Sequence, residues 1–375
     1  MQKLLTGNQI IVQAMLDAGA EAFFGYPITP ASEILEGWMK EACKNKKLIS
    51  VQTEDEISAG FALIGSVLAG KKAFTATSGP GNVIMQDAFS MAEAMRLPTV
   101  AFIMQRGGPS TGTVIYSQSE VNLTCFGGNG EGMRIVYSPS SLEELYKISR
   151  QALFVAWKYR FPVFVLADGY QAKMRGNIAI SEKNDVSAEV EPYLLSPKKN
   201  SLKGKMPEGS YLQTKEKDRF CASIRNCYNT EEELNTANLS TINAFKKCSS
   251  EIEQYKTVNT ENSDTLIIAH GIVATAVHQA INNLEEKNKC FFGNMFCSKK
   301  DKFGLFRPIT LNPFPIEALV KNVKNKERVI IMESAYNQLG RIVKDALGGI
   351  EIKIEEIYHS GQGFTPEEVK NIINN

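Results

Sequence analysis

The strongest constraint on the fold is a regular alternation of short apolar segments with helix-length segments. Helices are expected at 8–19, after Pro30, from about 56 to 70, at 82–95 and at 141–157. Strands are expected between them, at 20–25, 49–53, 71–77, 99–105, 134–137 and 162–166. Strands and helices that alternate in this way predict an α/β fold, with a parallel sheet covered by helices on both faces.

Three loops rich in glycine, proline and hydroxyl residues follow strands of this predicted sheet. They are YPITP at 26–30, SGPG at 78–81 and RGGPSTG at 106–112. In parallel sheets ligands bind beyond the carboxyl ends of the strands. We therefore expect the three loops to gather along one edge of the sheet and to form a site there.

The helix of VQTEDEISAGFALIGSVLAG (51–70) carries the best candidate for acid/base chemistry. Its acidic first turn can be explained structurally, since the helix dipole favours negative charge at an N-terminus. The functional alternative is that one carboxylate points into an interface. Glu56 is the better candidate because the residues after it are apolar and small, and a carboxyl group in such surroundings holds a proton more readily.

Composition excludes several classes of partner and site. Net charge is +1 at pH 7, which favours neither nucleic acid nor an anionic membrane surface as a partner. No apolar run reaches the roughly 18 residues of a membrane span, and no signal peptide is recognisable, so we expect a cytoplasmic protein. The seven cysteines form no CxxC pair; free thiols and no metal site are expected.

The second half of the chain differs in character from the first. We predict a first domain at 1–185, a polar linker or insertion at 186–262 that contains a solvated helix or two, and a smaller α/β domain at 263–375. The second domain again alternates strands with helices, beginning with a strand at 265–269 and a helix at 271–285.

Taken together, the motifs resemble those of the α subunit of 2-oxoacid:ferredoxin oxidoreductases. The resemblance rests on GYPITP (25–30), Glu56 with its following AGFA, SGPG (78–81) and RGGPSTG (106–112), in that order and spacing. It extends to GLFRPITL (304–311) and PFP (313–315), so it covers most of the chain outside about 190–262.

The resemblance implies a thiamine-diphosphate-enzyme pyrimidine-binding (Pyr) domain followed by a smaller transketolase-C-like domain. In such enzymes a glutamate hydrogen-bonds N1′ of the aminopyrimidine and so promotes formation of the nucleophilic ylide. Glu56 matches that glutamate, which makes it both the catalytic and a cofactor-binding candidate. The cofactor then supplies the electron sink for decarboxylation.

The same resemblance assigns further residues to the site. Arg106 matches an arginine that binds the substrate carboxylate, although a surface arginine capping a loop is the structural alternative. Thr29 and Thr111 match substrate contacts, with an ordinary loop hydroxyl as the alternative for Thr111. The implied cofactor contacts are Pro27, Ile28, Ser78 and Gly79.

Two departures from the family pattern stand out. Asn129-Gly130-Glu131 replaces a His-Gly-Asp or His-Gly-Glu sequence, so a role of that histidine does not carry over. The GDG…Asn pattern that binds diphosphate and Mg²⁺ is reduced to Asp168-Gly169. The resemblance therefore implies a β subunit that supplies the diphosphate half, Mg²⁺ and an iron–sulfur cluster, without which the chain is inactive.

The implied reaction is oxidative decarboxylation of a 2-oxo acid to acyl-CoA and CO₂, with coenzyme A as co-substrate and ferredoxin as electron acceptor. YPITPASEI and RGGPSTG favour 2-oxoglutarate, whereas Ser117-Gln118-Ser119-Glu120 is closer to the branched-chain type. Pyruvate, a non-oxidative thiamine decarboxylase and a non-catalytic assembly subunit are further alternatives. γ and δ subunits are additional candidate partners.

Overall fold

The structure is a computed structural model that describes residues 2–180, 195–196, 208, 210–216, 219–291 and 303–374. The strands are β1 (Gln2–Thr6), β2 (Ala22–Gly25), β3 (Ile49–Gln52), β4 (Ala73–Thr77), β5 (Val100–Gln105), β6 (Ile135–Tyr137), β7 (Val163–Asp168), β8 (Arg175–Ala179), β9 (Leu195–Ser196), β10 (Tyr211–Glu216), β11 (Arg219–Ile224), β12 (Tyr255–Val258), β13 (Thr265–Ile268), β14 (Phe303–Pro308), β15 (Thr310–Asn312), β16 (Arg328–Glu333) and β17 (Lys353–Tyr358).

The helices connect these strands along most of the chain. They are α1 (Gly7–Asp17), α2 (Ser32–Lys44), α3 (Glu56–Leu68), α4 (Pro80–Ile84), α5 (Gln86–Ala94), α6 (Val121–Phe126), α7 (Leu142–Tyr159), α8 (Gly169–Lys173), α9 (Glu231–Ile252), α10 (Gly271–Phe291), α11 (Ile316–Val323), α12 (Leu339–Ala346) and α13 (Pro366–Asn374). No helix among the described residues is long and apolar enough to cross a membrane.

A seven-stranded sheet with the order β15-β6-β7-β5-β4-β2-β3 forms the larger half. All its neighbours are parallel except β15 and β6, which are antiparallel. The chain passes from β2 to the edge strand β3 and then returns to place β4 on the other side of β2. This reversal between β2 and β4 is the position at which open parallel sheets form a ligand crevice.

Alternate residues of the central strands belong to different cores. Phe102 and Met104 of β5 face a core shared with helices α1, α2 and α7, whereas Ala101 and Ile103 face a second core. Because both faces are buried, the strands are apolar throughout rather than alternating with polar residues. The predicted α/β architecture of a parallel sheet with helices on both faces is confirmed.

A five-stranded sheet with the order β12-β14-β13-β16-β17 forms the smaller half, with only β12 antiparallel to its neighbour. Leu266 and Ile268 of β13 pack into the same core as Ala101 and Ile103 of the larger sheet. Ile267 lies on the opposite face, in a third core with helices α10 and α13. The two sheets therefore share one apolar core.

The structure adds elements that the sequence did not predict. β1 and β8 form a separate antiparallel pair, and the expected helix at 82–95 is divided into α4 and α5 at Met85. The segment predicted as a linker contains α9, which has a buried face rather than a solvated one. Phe245, Cys248 and Ile252 enter the core that the larger sheet shares with α1, α2 and α7, called the larger core below. It also contains β12, the edge of the smaller sheet.

The predicted domain boundaries stay a prediction, and two of their parts lie outside the described residues. They are most of 186–207, in the predicted linker, and 292–302, which contains Cys297, in the predicted second domain. Cys221 and Cys290 also lie outside the residues whose side chains are described. Cys43, Cys125, Cys227 and Cys248 are free thiols.

Candidate functional site

The predicted site loops lie side by side at the carboxyl edge of the larger sheet. They follow β5, β4, β2 and β3, which are consecutive neighbours in the sheet. The loop after β5 begins with Arg106, the loop after β4 contains Ser78 and Gly79, and that after β2 contains Thr29. The short connection after β3 leads to Glu56, the first residue of α3. The topology thus brings all four motifs to one crevice.

Glu56 is buried at the amino-terminal end of α3, with 8% of its surface exposed. The helix is capped by the preceding residue, since the Asp55 carboxylate accepts a 2.7 Å hydrogen bond from the Ser58 backbone N–H, and this bond lowers the pKa of Asp55. Glu56 is therefore not needed as the cap. Its carboxylate lies against Gly81 of α4, where an added Cβ would be 2.8 Å from Oε1.

The SGPG loop lines the crevice with glycine backbone and with hydroxyls that lack partners. Thr77 Oγ1 and Ser78 Oγ are buried and make no hydrogen bond within the described structure. Gly79 has φ +50° and ψ −117°, a conformation that residues with a side chain rarely adopt. A Cβ on Gly79 would be 2.7 Å from Nε of Arg106, so only glycine allows this close approach.

Arg106 is 6% exposed, which excludes the alternative of a surface arginine. Its Nη1 donates a 2.8 Å hydrogen bond to the backbone carbonyl of Thr29. Nε of the same guanidinium is buried and has no partner within the described structure. The side chain thus spans the loops after β2 and β5 and keeps part of its donor set for another group.

The remaining predicted residues contribute to different degrees. Ile28 packs against the larger core and helps to fix the loop after β2, whereas Pro27 is exposed. Thr29 meets Arg106 through its carbonyl rather than its hydroxyl. Thr111 is exposed. The structure thus brings Thr29, Ser78, Gly79 and Arg106 together beside Glu56.

Glu120 is a buried residue of this site that sequence reasoning did not assign to it. Its Oε1 accepts hydrogen bonds from the backbone N–H groups of Gly79 and Arg106, at 3.0 and 3.1 Å. Its Oε2 accepts a 3.0 Å hydrogen bond from Nδ2 of Asn82. Burial raises the pKa of Glu120, and these hydrogen bonds act in the opposite direction. The available signal was an acidic residue directly before a helix, which has many structural explanations.

A polar chain continues from Glu120 to the loop at 127–132. Gln86 donates from Nε2 to Oδ1 of Asn82 at 3.0 Å and accepts from Nη1 of Arg134 at 3.0 Å. Nη2 of Arg134 donates to the carbonyl of Gly127, and Nε forms a buried ion pair with Glu93. The loop that holds Asn129 is therefore fastened to the same network as the site.

The fragment Asp168-Gly169 joins the two halves of the chain. Oδ2 of Asp168 accepts a 2.7 Å hydrogen bond from the backbone N–H of Ile272 in α10. Burial raises the pKa of Asp168 to about 7, although the hydrogen bonds from Ile272 and Gln118 oppose this. No group of three or more His, Cys, Asp or Glu side chains suited to a metal occurs among the described residues.

Comparison with known proteins identifies two matching families. Residues 13–256 match the family described as "Pyruvate flavodoxin/ferredoxin oxidoreductase, thiamine diP-bdg". Residues 263–369 match "Pyruvate:ferredoxin oxidoreductase core domain II". Glu56, Gly79, Arg106 and Glu120 all lie within the first match.

Relatives are similar to this chain over nearly its whole length. The 2-oxoglutarate synthase subunit KorA of Methanocaldococcus jannaschii is 30% identical over 99% of both chains. The ketoisovalerate oxidoreductase subunit VorB of Methanothermobacter marburgensis is 27% identical over 94% of this chain and 92% of its own.

One solved structure has the same fold over 99% of this chain, with a TM-score of 0.82 and 24% identity. It is the 2-oxoglutarate:ferredoxin oxidoreductase from Magnetococcus marinus with 2-oxoglutarate, coenzyme A and succinyl-CoA bound. The present chain spans 64% of the length of that chain. A split-gene transketolase is a more distant structural neighbour, with a TM-score of 0.56 and 13% identity.

Proposed function

Because this chain belongs to the family of 2-oxoacid:ferredoxin oxidoreductase α subunits, we propose that it binds the aminopyrimidine half of thiamine diphosphate and a 2-oxo acid, most specifically 2-oxoglutarate. The reaction is oxidative decarboxylation to the acyl-CoA and CO₂, with electrons passed to ferredoxin. The observation that carries the proposal is the placement of Glu56 in the crevice beside Arg106 and Gly79.

The residues of the crevice fit the pyrimidine half of the cofactor. The Glu56 carboxylate faces the glycine backbone of α4. Buried polar groups are nearly always paired, so the bare hydroxyls of Thr77 and Ser78 indicate that a polar ligand completes this site. Thiamine diphosphate, when bound, supplies the nucleophilic carbon and the electron sink for decarboxylation.

Glu56 would hold and move one proton at its carboxylate. A carboxyl group in a largely buried position can share a proton with a ring nitrogen, which is a general acid–base role. The missing side chains of Gly79 and Gly81 leave space for a flat ring against the backbone. These residues therefore bind the ring, exclude water and supply the proton-transfer group.

Arg106 would bind the carboxylate of the 2-oxo acid. Its Nη1 is engaged by Thr29, which fixes the plane of the guanidinium. Nε and the remaining N–H donors can then pair with two carboxylate oxygens, a geometry for which arginine is suited. Thr29, on the loop after β2, and Thr111, on the same loop as Arg106, are proposed as further substrate contacts. Pro27, Ile28 and Ser78 are proposed as cofactor contacts.

The named relatives support 2-oxoglutarate as the substrate and leave one specific second candidate. The relative from M. jannaschii is called a 2-oxoglutarate synthase subunit, and the one from M. marburgensis a ketoisovalerate oxidoreductase subunit. A branched-chain 2-oxo acid is therefore the second candidate. The two substrates differ at the end away from the 2-oxo acid group. This end is a carboxylate in 2-oxoglutarate and a branched alkyl group in the second candidate.

We further propose that a β subunit completes the enzyme and that the chain is inactive without it. Mg²⁺ for the diphosphate and the iron–sulfur cluster are assigned to the partner, because this chain keeps only the fragment Asp168-Gly169 of the diphosphate-binding pattern. The relatives are named as subunits, which supports a complex with other chains. Coenzyme A, ferredoxin and additional γ and δ subunits are the other proposed partners.

The first test is to tag the chain in its native host, purify the complex and assay it. Viologen reduction that requires coenzyme A is measured in parallel with 2-oxoglutarate, 2-oxoisovalerate and pyruvate. We expect reduction with 2-oxoglutarate that disappears when thiamine diphosphate is removed. A complex that contains a β partner but is inactive with all three substrates would contradict the proposal.

Two matched variants test the role of Glu56 within that complex. Glu56→Gln should lower turnover by about 10²–10⁴-fold, the usual contribution of a positioned acid or base. Glu54→Gln, which changes an exposed carboxylate two residues earlier, should leave turnover unchanged. Equal activities of the two variants would refute the acid–base role of Glu56.

A further inference from the structure

Glu120 lies where the loop after β4 meets the loop after β5. One carboxylate oxygen, Oε1, accepts hydrogen bonds from the backbone N–H of Gly79 and of Arg106. These two backbone groups belong to different loops that follow neighbouring strands. A single buried oxygen atom, in a side chain that is 5% exposed, therefore links both loops.

The second carboxylate oxygen fixes the orientation of the first. Oε2 accepts from Nδ2 of Asn82, and the same Nδ2 donates to Oγ1 of Thr124 at 3.1 Å. Asn82 and Thr124 are both fully buried. Because hydrogen bonds to a buried carboxylate are stronger than those between neutral groups, this arrangement resists rotation of the Glu120 side chain.

Gln118, two residues earlier, anchors the same segment to the smaller sheet. Its Nε2 donates to the carbonyl of His270 at 3.1 Å, and its Oε1 accepts from the N–H of Ser334 at 3.0 Å. His270 lies just after β13 and Ser334 just after β16. The segment that carries Glu120 is therefore held by the ends of two adjacent strands in the other half of the molecule.

We propose that Glu120 is a positioning residue that sets the guanidinium of Arg106 relative to the glycine backbone at Gly79. The ligand whose binding it controls is the carboxylate of the 2-oxo acid, so this inference rests on the proposed function. Through its bonds to Gln118, the smaller sheet fixes the position of Glu120 and hence the position of Arg106. Misplacement of a substrate-binding group by about 1 Å can cost roughly 10²-fold in rate.

The test uses the purified complex and two Glu→Gln variants of matched chemistry. In Glu120→Gln the amide places an N–H₂ group either against Asn82 or against the two loop N–H groups. We expect the KM for 2-oxoglutarate to rise about tenfold, the effect of losing one hydrogen bond to a charged group, while the KM for coenzyme A is unchanged. Glu144→Gln alters another buried glutamate, bonded to Arg307, and should change stability but neither KM.

A binding measurement and a rescue separate positioning from general damage. The complex is loaded with 3-deazathiamine diphosphate, an inert analogue, and 2-oxoglutarate binding is measured by calorimetry. Glu120→Gln should raise Kd by the same factor as KM. In the double variant Glu120→Gln, Asn82→Asp the carboxylate and the amide exchange places, so the amide at residue 120 donates to the carboxylate at residue 82. This restored hydrogen bond should return the Kd to within about threefold of wild type.

The outcomes also separate this inference from the proposed function. If Arg106→Lys leaves the Kd for 2-oxoglutarate unchanged, both the substrate role of Arg106 and the positioning role of Glu120 are refuted. If Arg106→Lys weakens binding but Glu120→Gln does not, only the positioning role is refuted. The same conclusion follows if the double variant binds as weakly as Glu120→Gln alone, because the restored pattern of donors and acceptors would then have no effect.

Discussion

Replacing Gly81 by alanine should damage the cofactor site although the change favours a helix. Gly81 lies in α4, opposite the side chains of Thr77 and Glu56. An added Cβ would lie 2.1 Å from Oγ1 of Thr77, 2.8 Å from Oε1 of Glu56 and 2.9 Å from its Cγ. Thr77 is 1% exposed, so it has little room to move away.

Two opposing contributions decide the size of the effect. Alanine in place of glycine within a helix stabilises by about 0.5–1 kcal/mol when nothing obstructs it. Overpacking a well-packed site costs about 1–3 kcal/mol. The overpacking is larger at Gly81, so the free energy of unfolding should fall by about 1 kcal/mol. The new methyl group also displaces the Glu56 carboxylate, which should weaken thiamine diphosphate binding about tenfold or more.

Gly65→Ala is the matched control, because Gly65 lies in α3 and a Cβ there meets no atom within 4 Å. It should raise stability by about 0.5–1 kcal/mol and leave cofactor affinity unchanged. Thiamine diphosphate titration and chemical denaturation of the complex measure both quantities. A Gly81→Ala variant that is as stable as Gly65→Ala and binds the cofactor normally would refute the crevice geometry described above.

Three further predictions concern buried charges. Burial raises the pKa of Asp168 from 3.8 to about 7, so the folded chain retains a proton that the unfolded chain releases. The free energy of unfolding should therefore fall as pH rises from 4 to 7. Asp168→Asn should flatten this part of the plot of unfolding free energy against pH, measured by chemical denaturation. For Glu144, burial is outweighed by the hydrogen bonds and charge of Arg307, which lower its pKa from 4.5 to about 2; its contribution should be lost as pH falls through that range, and Glu144→Gln should remove the acid-induced loss. Arg134→Met leaves Glu93 buried and unpaired and should cost about 3–5 kcal/mol in urea denaturation, whereas an unchanged midpoint would contradict the buried ion pair.

Local patterns were sufficient to predict the parallel strands of the larger sheet and the edge at which the candidate loops meet. The strands and helices alternate at short range, and the carboxyl ends of parallel strands must lie at one edge, so the loops with Thr29, Ser78 and Arg106 could be placed together in advance. The burial of Glu56 also follows from the small apolar residues beside it in the sequence.

Long-range contacts could not be predicted in the same way. Glu120 is identified only by what it contacts, since its partners Gly79 and Arg106 are 41 and 14 residues away. The buried face of α9 repeats at helical spacing, but the core that covers it lies far away in the sequence, as in the edge-to-face contact of Phe245 with Phe161. β15 joins a sheet whose other strands precede it by more than 140 residues.

The apolar core that the two sheets share gives the chain a mechanical consequence. Ala101 and Ile103 of one sheet and Leu266 and Ile268 of the other pack in the same cluster, and β15 crosses from the smaller half to pair with β6. Separating the two halves would expose apolar faces on both of them at once. Its unfolding should therefore be a single cooperative transition, in which neither half survives as an intermediate after the other has melted.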